Sequence, residues 1–391
     1  MREFDSERHV KIAIFDYVVT PTNAIGSCHL RILKSLCYEH EFTVFAVAFE
    51  NPCPDRIHWV RIPAPSRPLL LLFVTYQLVA PLYYWFYHVV RNEEFDLIQI
   101  VESTYTRGDL SYAHFCHRAY LKDHWRDSRS TGIRGLTKWL VHRLAALFEP
   151  HVFRRVGHIV VPSRGLAREL SREYPWTTHK IQVLSNPVDV DRMRIPENFD
   201  RDSLRREMKI APEDLNVVFL ALGHFERKGF PLLLEAVAFV RNYNLKVTVV
   251  GGTAQIISAY RKRAKQLALD GQVVFLGIQR DVRPYLWCAD AFALPSFYEV
   301  FPLVVLEAAA AGLPLLVTNL NGVEEFLIDG QNGFIVEKSI QGVVDGLNRL
   351  LALSPECRKL MGKKAQLSVQ RYSTQRFVEE WQETYEAIRS E

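Results

Sequence analysis

The chain has 391 residues, about twice a common domain length, so two domains are expected. Hydrophobic residues make up 48% and charged residues 24%, the balance of a soluble globular chain with sizeable cores. A net charge of only +4 argues against a dedicated nucleic-acid binder. Six cysteines without a Cys-x-x-Cys pair argue against a zinc ribbon or redox dithiol.

The charged start, MREFDSERHVKIAIF, has no signal-peptide core, and no Asn-x-Ser/Thr sequon occurs, so a reducing cytoplasm is the expected compartment. Short apolar runs then alternate with helix-length segments. In the first half they are KIAIFDYVV (11–19), FTVFAVAF (42–49), DLIQIVE (96–102), YAHFCH (112–117), HIVVPS (158–163) and IQVLSN (181–186). In the second they are NVVFLALG (216–223), KVTVVGG (246–252), VVFLG (273–277), AFALPS (291–296) and PLLVT (314–318). Runs apolar on both faces predict parallel strands of an α/β fold, and two sets predict two Rossmann-like domains. Turn formers and charges at 186–200 mark the boundary. The division expected is 1–193 with the terminal helix 372–391, and 194–371.

One stretch interrupts this pattern. Residues 68–90 contain no Asp, Glu, Lys or Arg and could span a bilayer by length. Pro81 sits inside, with Thr75, Gln77 and His88. If the strands before and after it share a sheet, a single span would put them on opposite sides of the membrane. We read a broken, buried or interfacial helical segment, whose Tyr and Trp suit a membrane surface or a core. Residues 118–172 carry twelve Lys/Arg against four Asp/Glu. Such a patch suits an anionic membrane surface or a charged glycan, or forms solvated helix faces.

Parallel α/β sheets bind ligands at the carboxyl ends of their strands, and two such domains place a site in the cleft between them. FYEVFPLVVLE follows the run at 291–296 and holds Glu299 and Glu307 with seven residues between. Pro302 can open a helix that stops at Gly312. N–H groups around Phe301, Pro302 and Leu303 favour a phosphate there, although Pro302 donates none. Glu307, one turn on, could accept bonds from a ribose diol, and Glu299 could meet a second set of hydroxyls. The alternative is a solvated loop residue and a structural partner. In GHFERKGF, Arg227 and Lys228 could offset a diphosphate, and Gly229 allows close backbone approach. Neither a Gly-x-x-x-x-Gly-Lys-Ser/Thr nor a Gly-x-Gly-x-x-Gly loop occurs. His114 and His117 invite a zinc reading, but no further ligand pair is evident, so no metal is expected. On a strand the two would face opposite ways, one into the core and one functional or at the surface.

GHFERKGF, VVFLG, ADAFALPSFYEVFPLVVLEAAAAGLPLLVT and NGVEEFLIDGQNGFIV, in that order, resemble family 4 retaining glycosyltransferases of the GT-B fold. The likeness is strongest over 216–340 and extends weakly through IGSCHLRILKSL and SNPVD; YSTQRFVEEWQETYEAI resembles the closing helix that crosses back to the first domain. The Phe-x-Arg-Lys-Gly loop is similar to that of lipopolysaccharide-core enzymes. The resemblance implies two Rossmann-like domains facing across a cleft. It implies that Glu307 binds the donor ribose, that Glu299 contacts the donor sugar beside its anomeric centre, and that Arg227 and Lys228 hold the diphosphate. Phe301, Pro302 and Leu303 would support sugar and phosphate through the backbone. Gly26 and Ser27, in the first loop, would close on the phosphates. Ser27 stands where relatives carry a second glycine, and His224 where many carry arginine. A histidine near the donor sugar fits His114, with His117 close behind.

The implied reaction is retaining, metal-independent transfer of a hexose from a UDP- or GDP-linked sugar, without a cofactor. The acceptor would be a hydroxyl of a glycan, a lipid-linked glycan or a small molecule. The alternatives are a nicotinamide-dependent oxidoreductase, against which the missing glycine fingerprint counts, and a GT-B scaffold without catalysis.

Overall fold

The computed structural model describes residues 9–128 and 132–390; the charged start at 1–8 and Arg129 of the basic segment lie outside them. The chain divides into two compact units, Met1–Asn186 with Thr374–Glu391, and Pro187–Ser373. The first contains β1 (Lys11–Phe15), β2 (Val18–Val19), β3 (Glu41–Ala46), β4 (Ala48–Phe49), β5 (Ile57–Arg61), β6 (Leu97–Val101), β7 (Leu110–Tyr112), β8 (His158–Val161) and β9 (Ile181–Val183). Seven of these form a parallel sheet in the order β5-β3-β1-β6-β7-β8-β9, and β2 pairs with β4. The second contains β10 (Leu215–Leu220), β11 (Leu245–Val250), β12 (Val273–Gly277), β13 (Ala291–Leu294), β14 (Leu315–Thr318) and β15 (Gly333–Val336). They form a parallel sheet in the order β12-β11-β10-β13-β14-β15.

All residues of β10, β13 and β14 are buried. Such strands need cover on both faces, which crossover helices supply. Strand order reverses between β1 and β6 in the first sheet and between β10 and β13 in the second. There the crossovers leave on opposite faces, and the loops part at the carboxyl ends of the strands. The terminal helix Thr374–Ser390 belongs to the first unit: Phe377, Trp381 and Tyr385 are buried, and the Tyr385 hydroxyl donates to Gln99 Oε1 on β6 at 2.6 Å.

Several local expectations change. The strand expected over 112–117 ends at Tyr112, and a short helix begins at His117. The buried Glu149 carboxylate accepts from the backbone N–H groups of His117 (2.5 Å) and Arg118 (3.2 Å), which fixes a helix start there. His114 and His117 are therefore not alternating strand residues. Gly26 and Ser27 are not in a loop but in the first turn of the helix Ala24–Leu36, because Asn23 caps it. Their N–H groups donate to the Asn23 side chain (2.9 Å) and carbonyl (2.8 Å). β5 and β15 go beyond the sequence reading. β5 lies at the sheet edge with only Ile57 and Val60 buried, so it lacks the doubly apolar signature; β15 follows a turn-rich segment.

Residues 68–90 form the helix Leu69–Trp85 and a wider turn, Phe86–Val90. Pro81 lies within the helix and does not break it. β1 and β6, before and after this segment, are parallel neighbours. A single transmembrane crossing between them is therefore excluded. The helix is mostly exposed, so the segment is not a buried one.

Candidate active site

In the second unit β10 and β13 lie side by side, with Val217 opposite Ala291 and Val218 opposite Phe292. The loops that follow them both start at the strand-order reversal. Gly229 fixes how close they come. Its φ is +74°, and a Cβ there would stand 1.8 Å from the Pro295 carbonyl oxygen. The Phe297 N–H donates to the Arg227 carbonyl at 2.8 Å, and Ser296 Oγ donates to it at 3.0 Å. Thr318, ending β14, donates to the Ser296 carbonyl at 2.5 Å. Three strand ends are thereby tied into one backbone frame.

On this frame Lys228 Nζ donates to Glu299 Oε1 at 2.8 Å, and the Arg227 guanidinium lies 3.9 Å from the same oxygen. Ser296 Oγ is 3.3 Å away. Burial alone would push the Glu299 carboxyl up. The Lys228 and Arg227 charges, with the bonds from Lys228 and Ser296, outweigh it and hold it below the usual carboxylate range. Two cations thus share one carboxylate. Arg227 Nε is buried and makes no hydrogen bond among the described residues. The site can offer cations to a phosphate and a carboxylate to hydroxyls at the same point.

The other expected residues of this unit follow. His224 opens the basic loop in a left-handed conformation (φ +56°) and is exposed, and its carbonyl accepts from the Lys228 N–H at 2.9 Å. Pro302 stands at the N-cap of the helix Leu303–Ala310, and no side chain caps that end. Phe301 is buried, and a Cβ on Gly322 (φ +82°) would stand 2.0 Å from its ring. Glu307 is half-buried in the second turn of this helix. Ser296, Thr318 and Lys338, whose Nζ donates to the Phe297 carbonyl at 2.9 Å, went unseen in the sequence. Their only signal is position at or just after the end of a strand.

Gly26, Ser27, His114 and His117 belong to the first unit. A Cβ on Gly26 would stand 2.7 Å from the Thr20 nitrogen and the Val18 oxygen, so glycine serves chain packing there. His114 is buried against the Tyr112 ring, its Nε2 without a hydrogen-bond partner among the described residues. Burial and, next, His29 push its pKa down to about 3. His117 Nδ1 lies 2.8 Å from His142 Nδ1, and its Nε2 3.3 Å from Glu102 Oε2. Burial acts to lower the His117 pKa, but the bond to Glu102 and the Glu149 charge outweigh it and raise it. No local pattern marks Glu102, Glu149 or His142 as its partners.

A family model described as Glycosyl transferases group 1 matches residues 216–353, and one described as Glycosyltransferase Family 4 matches residues 30–192. The chain is 33% identical over 186 residues to the lipopolysaccharide core biosynthesis glycosyltransferase LpsE of Rhizobium meliloti (strain 1021), covering 47% of this chain and 51% of LpsE. It spans about half the length of the curated relatives it matches. Among solved structures it is similar to WaaG, a glycosyltransferase involved in lipopolysaccharide biosynthesis, with a TM-score of 0.77 and 20% identity over 95% of this chain and 99% of WaaG. It is also similar to Anabaena HepE in complex with UDP and glucose, with a TM-score of 0.74 and 18% identity over 97% of this chain and 100% of HepE. Matched in both halves by these models and following the same fold along its length, the chain belongs to the family 4 glycosyltransferases of the GT-B fold.

Proposed function

We propose that the chain is a retaining glycosyltransferase. It moves a hexose from a UDP- or GDP-linked sugar to a hydroxyl of a glycan, a glycolipid or a small molecule. The observation that carries this reading is the Lys228–Glu299–Arg227 group at the reversal between β10 and β13. As the bond from the anomeric carbon to the diphosphate breaks, its electron pair goes to the phosphate oxygen. Lys228 and Arg227 stabilise that growing charge, the largest contribution a site without a nucleophile can make. Glu299 holds Lys228 in place and accepts from sugar hydroxyls. The acceptor oxygen bonds to the anomeric carbon on the face the diphosphate leaves, and its proton passes to the departing phosphate. Configuration is thereby retained.

Glu307 accepts from the ribose hydroxyls, and the uncapped start of the helix Leu303–Ala310 favours a phosphate. The basic pair takes the place a divalent cation fills elsewhere, so transfer proceeds without metal. HepE with UDP and glucose supports a nucleotide-sugar donor, and the names of LpsE and WaaG support a glycan or lipid-linked acceptor. Calorimetry with UDP and GDP, followed by transfer assays in EDTA with NMR of the product's anomeric proton, tests this. The expected result is binding of one nucleoside diphosphate and a product of unchanged configuration in chelator. Inversion, or activity restored only by a divalent ion, would overturn the corresponding part, and no nucleotide binding would leave a scaffold.

A further inference from the structure

We propose that Lys338 is a positioning residue of the donor site, whose ammonium holds in place the loop that presents Glu299. This role rests on the reading of the Lys228–Glu299–Arg227 group as the place of sugar transfer, and it adds a residue from a third loop of the second unit.

Glu299 lies between β13 and the helix Leu303–Ala310. Two consecutive carbonyls of its loop are gripped by side chains from two neighbouring strands. Thr318, the last residue of β14, donates to the Ser296 carbonyl at 2.5 Å. Lys338, just past the end of β15, donates from Nζ to the Phe297 carbonyl at 2.9 Å. β14 and β15 are paired, with Thr318 opposite Val336. The contacts therefore close a ring, from Ser296 to Thr318, across the ladder to Val336, on to Lys338 and back to Phe297. On its other side the Phe297 N–H donates to the Arg227 carbonyl at 2.8 Å. Phe297 is thus held through both its N–H and its carbonyl, between the basic loop and the end of β15.

The base of the Lys338 side chain is itself fixed. The Ser339 N–H donates to the Glu337 carbonyl at 2.8 Å, and Ser339 Oγ accepts from the Gly342 N–H at 3.0 Å, capping the helix Ile340–Leu351. The strand ends just before Lys338 and the helix begins just after it. With the strands in the order β13-β14-β15, the side chain reaches past the end of β14, which the long stem of lysine allows. Its bond to the carbonyl is charge-assisted, stronger than one between neutral groups.

The geometry it maintains is a narrow one. Lys228 Nζ and the Arg227 guanidinium stand 2.8 Å and 3.9 Å from the same Glu299 oxygen. A shift of about 1 Å in such a group can cost about a hundredfold in rate. Lys338 is exposed, so removing its charge does little to the core, and its effect belongs to turnover rather than to folding.

The test uses the full chain with UDP-glucose and GDP-mannose, scoring release of the nucleoside diphosphate with water as acceptor, alongside calorimetry with UDP and GDP. Lys338→Met keeps the apolar stem and removes the donor. It should lower kcat about tenfold to a hundredfold and leave nucleotide affinity and the melting temperature close to the wild type. Lys338→Arg, which can still donate to the carbonyl, should recover most of the lost turnover. An unchanged kcat in Lys338→Met overturns the proposal. So does a loss of nucleotide affinity as large as the loss of kcat, which would make Lys338 a nucleotide ligand. A second readout needs no activity. Carbon-13 NMR of the glutamate carboxyls, with Glu299→Gln to assign the signal, should show Glu299 titrating at higher pH in Lys338→Met than in the wild type, because Lys228 then holds it less firmly. An unchanged titration also overturns the proposal. If the wild type neither binds a nucleotide nor cleaves a donor, the transfer reading fails, and the titration still decides whether Lys338 places Glu299.

Discussion

At the scale of single residues, Glu299 and Lys228 depend on each other although 71 positions separate them. The Glu299 carboxyl is held below the usual range in the folded chain and returns to an ordinary value, about 4.3, on unfolding. A carboxyl depressed in this way contributes stability above its unfolded pKa and loses it as pH falls through the folded value. The stability difference between the wild type and Glu299→Gln should accordingly be full at neutral pH. It should shrink below about pH 4.3, as urea unfolding across that range will show. Lys228→Ala should lower turnover more than donor affinity, because the charge it meets grows in the transition state; an unchanged kcat would assign it a structural role. Glu307→Ala should weaken UDP binding about ten- to hundredfold, since charge-assisted hydrogen bonds contribute about 1.5–3 kcal/mol. Calorimetry measures this, and unchanged affinity would remove Glu307 from the ribose.

Among elements, the two loops at the reversal of the second sheet work only as a pair. Gly229 sets their separation, since no side chain fits between it and Pro295 and its φ lies in the left-handed region. Gly229→Ala should destabilise the second unit by at least about 1–3 kcal/mol of backbone strain and weaken nucleotide binding as the loops part. Gly223, in the same loop, has no atom within 4 Å of a Cβ placed on it, and Gly223→Ala should leave stability unchanged. Denaturation of the two variants compares them directly. The need for glycine at 229 could be suspected from GHFERKGF, but its reason lies in a loop 66 residues further along.

For the whole molecule, the terminal helix completes the core of the first unit although the second unit precedes it in sequence. Trp381 and Tyr385 are fully buried, so Trp381→Ala should cost about 3–5 kcal/mol. Calorimetric scanning should show that cost in the transition of the first unit and spare the second. The α/β class, ten of the strands, the Glu299 to Glu307 run and the basic loop are legible in the chain without a structure. Each of these is written in contiguous residues as apolar runs or as turn and charge signals. Long-range packing alone makes Glu299 ion-paired rather than free, seats Gly26 and Ser27 in a capped helical turn, and holds His117 with Glu102 and Glu149. Those outcomes depend on strand order, which brings distant segments together and which no local period encodes. The same holds for the apolar segment at 68–90. Its composition is uniform, and only packing against one side of the sheet distinguished a buried face from an exposed one.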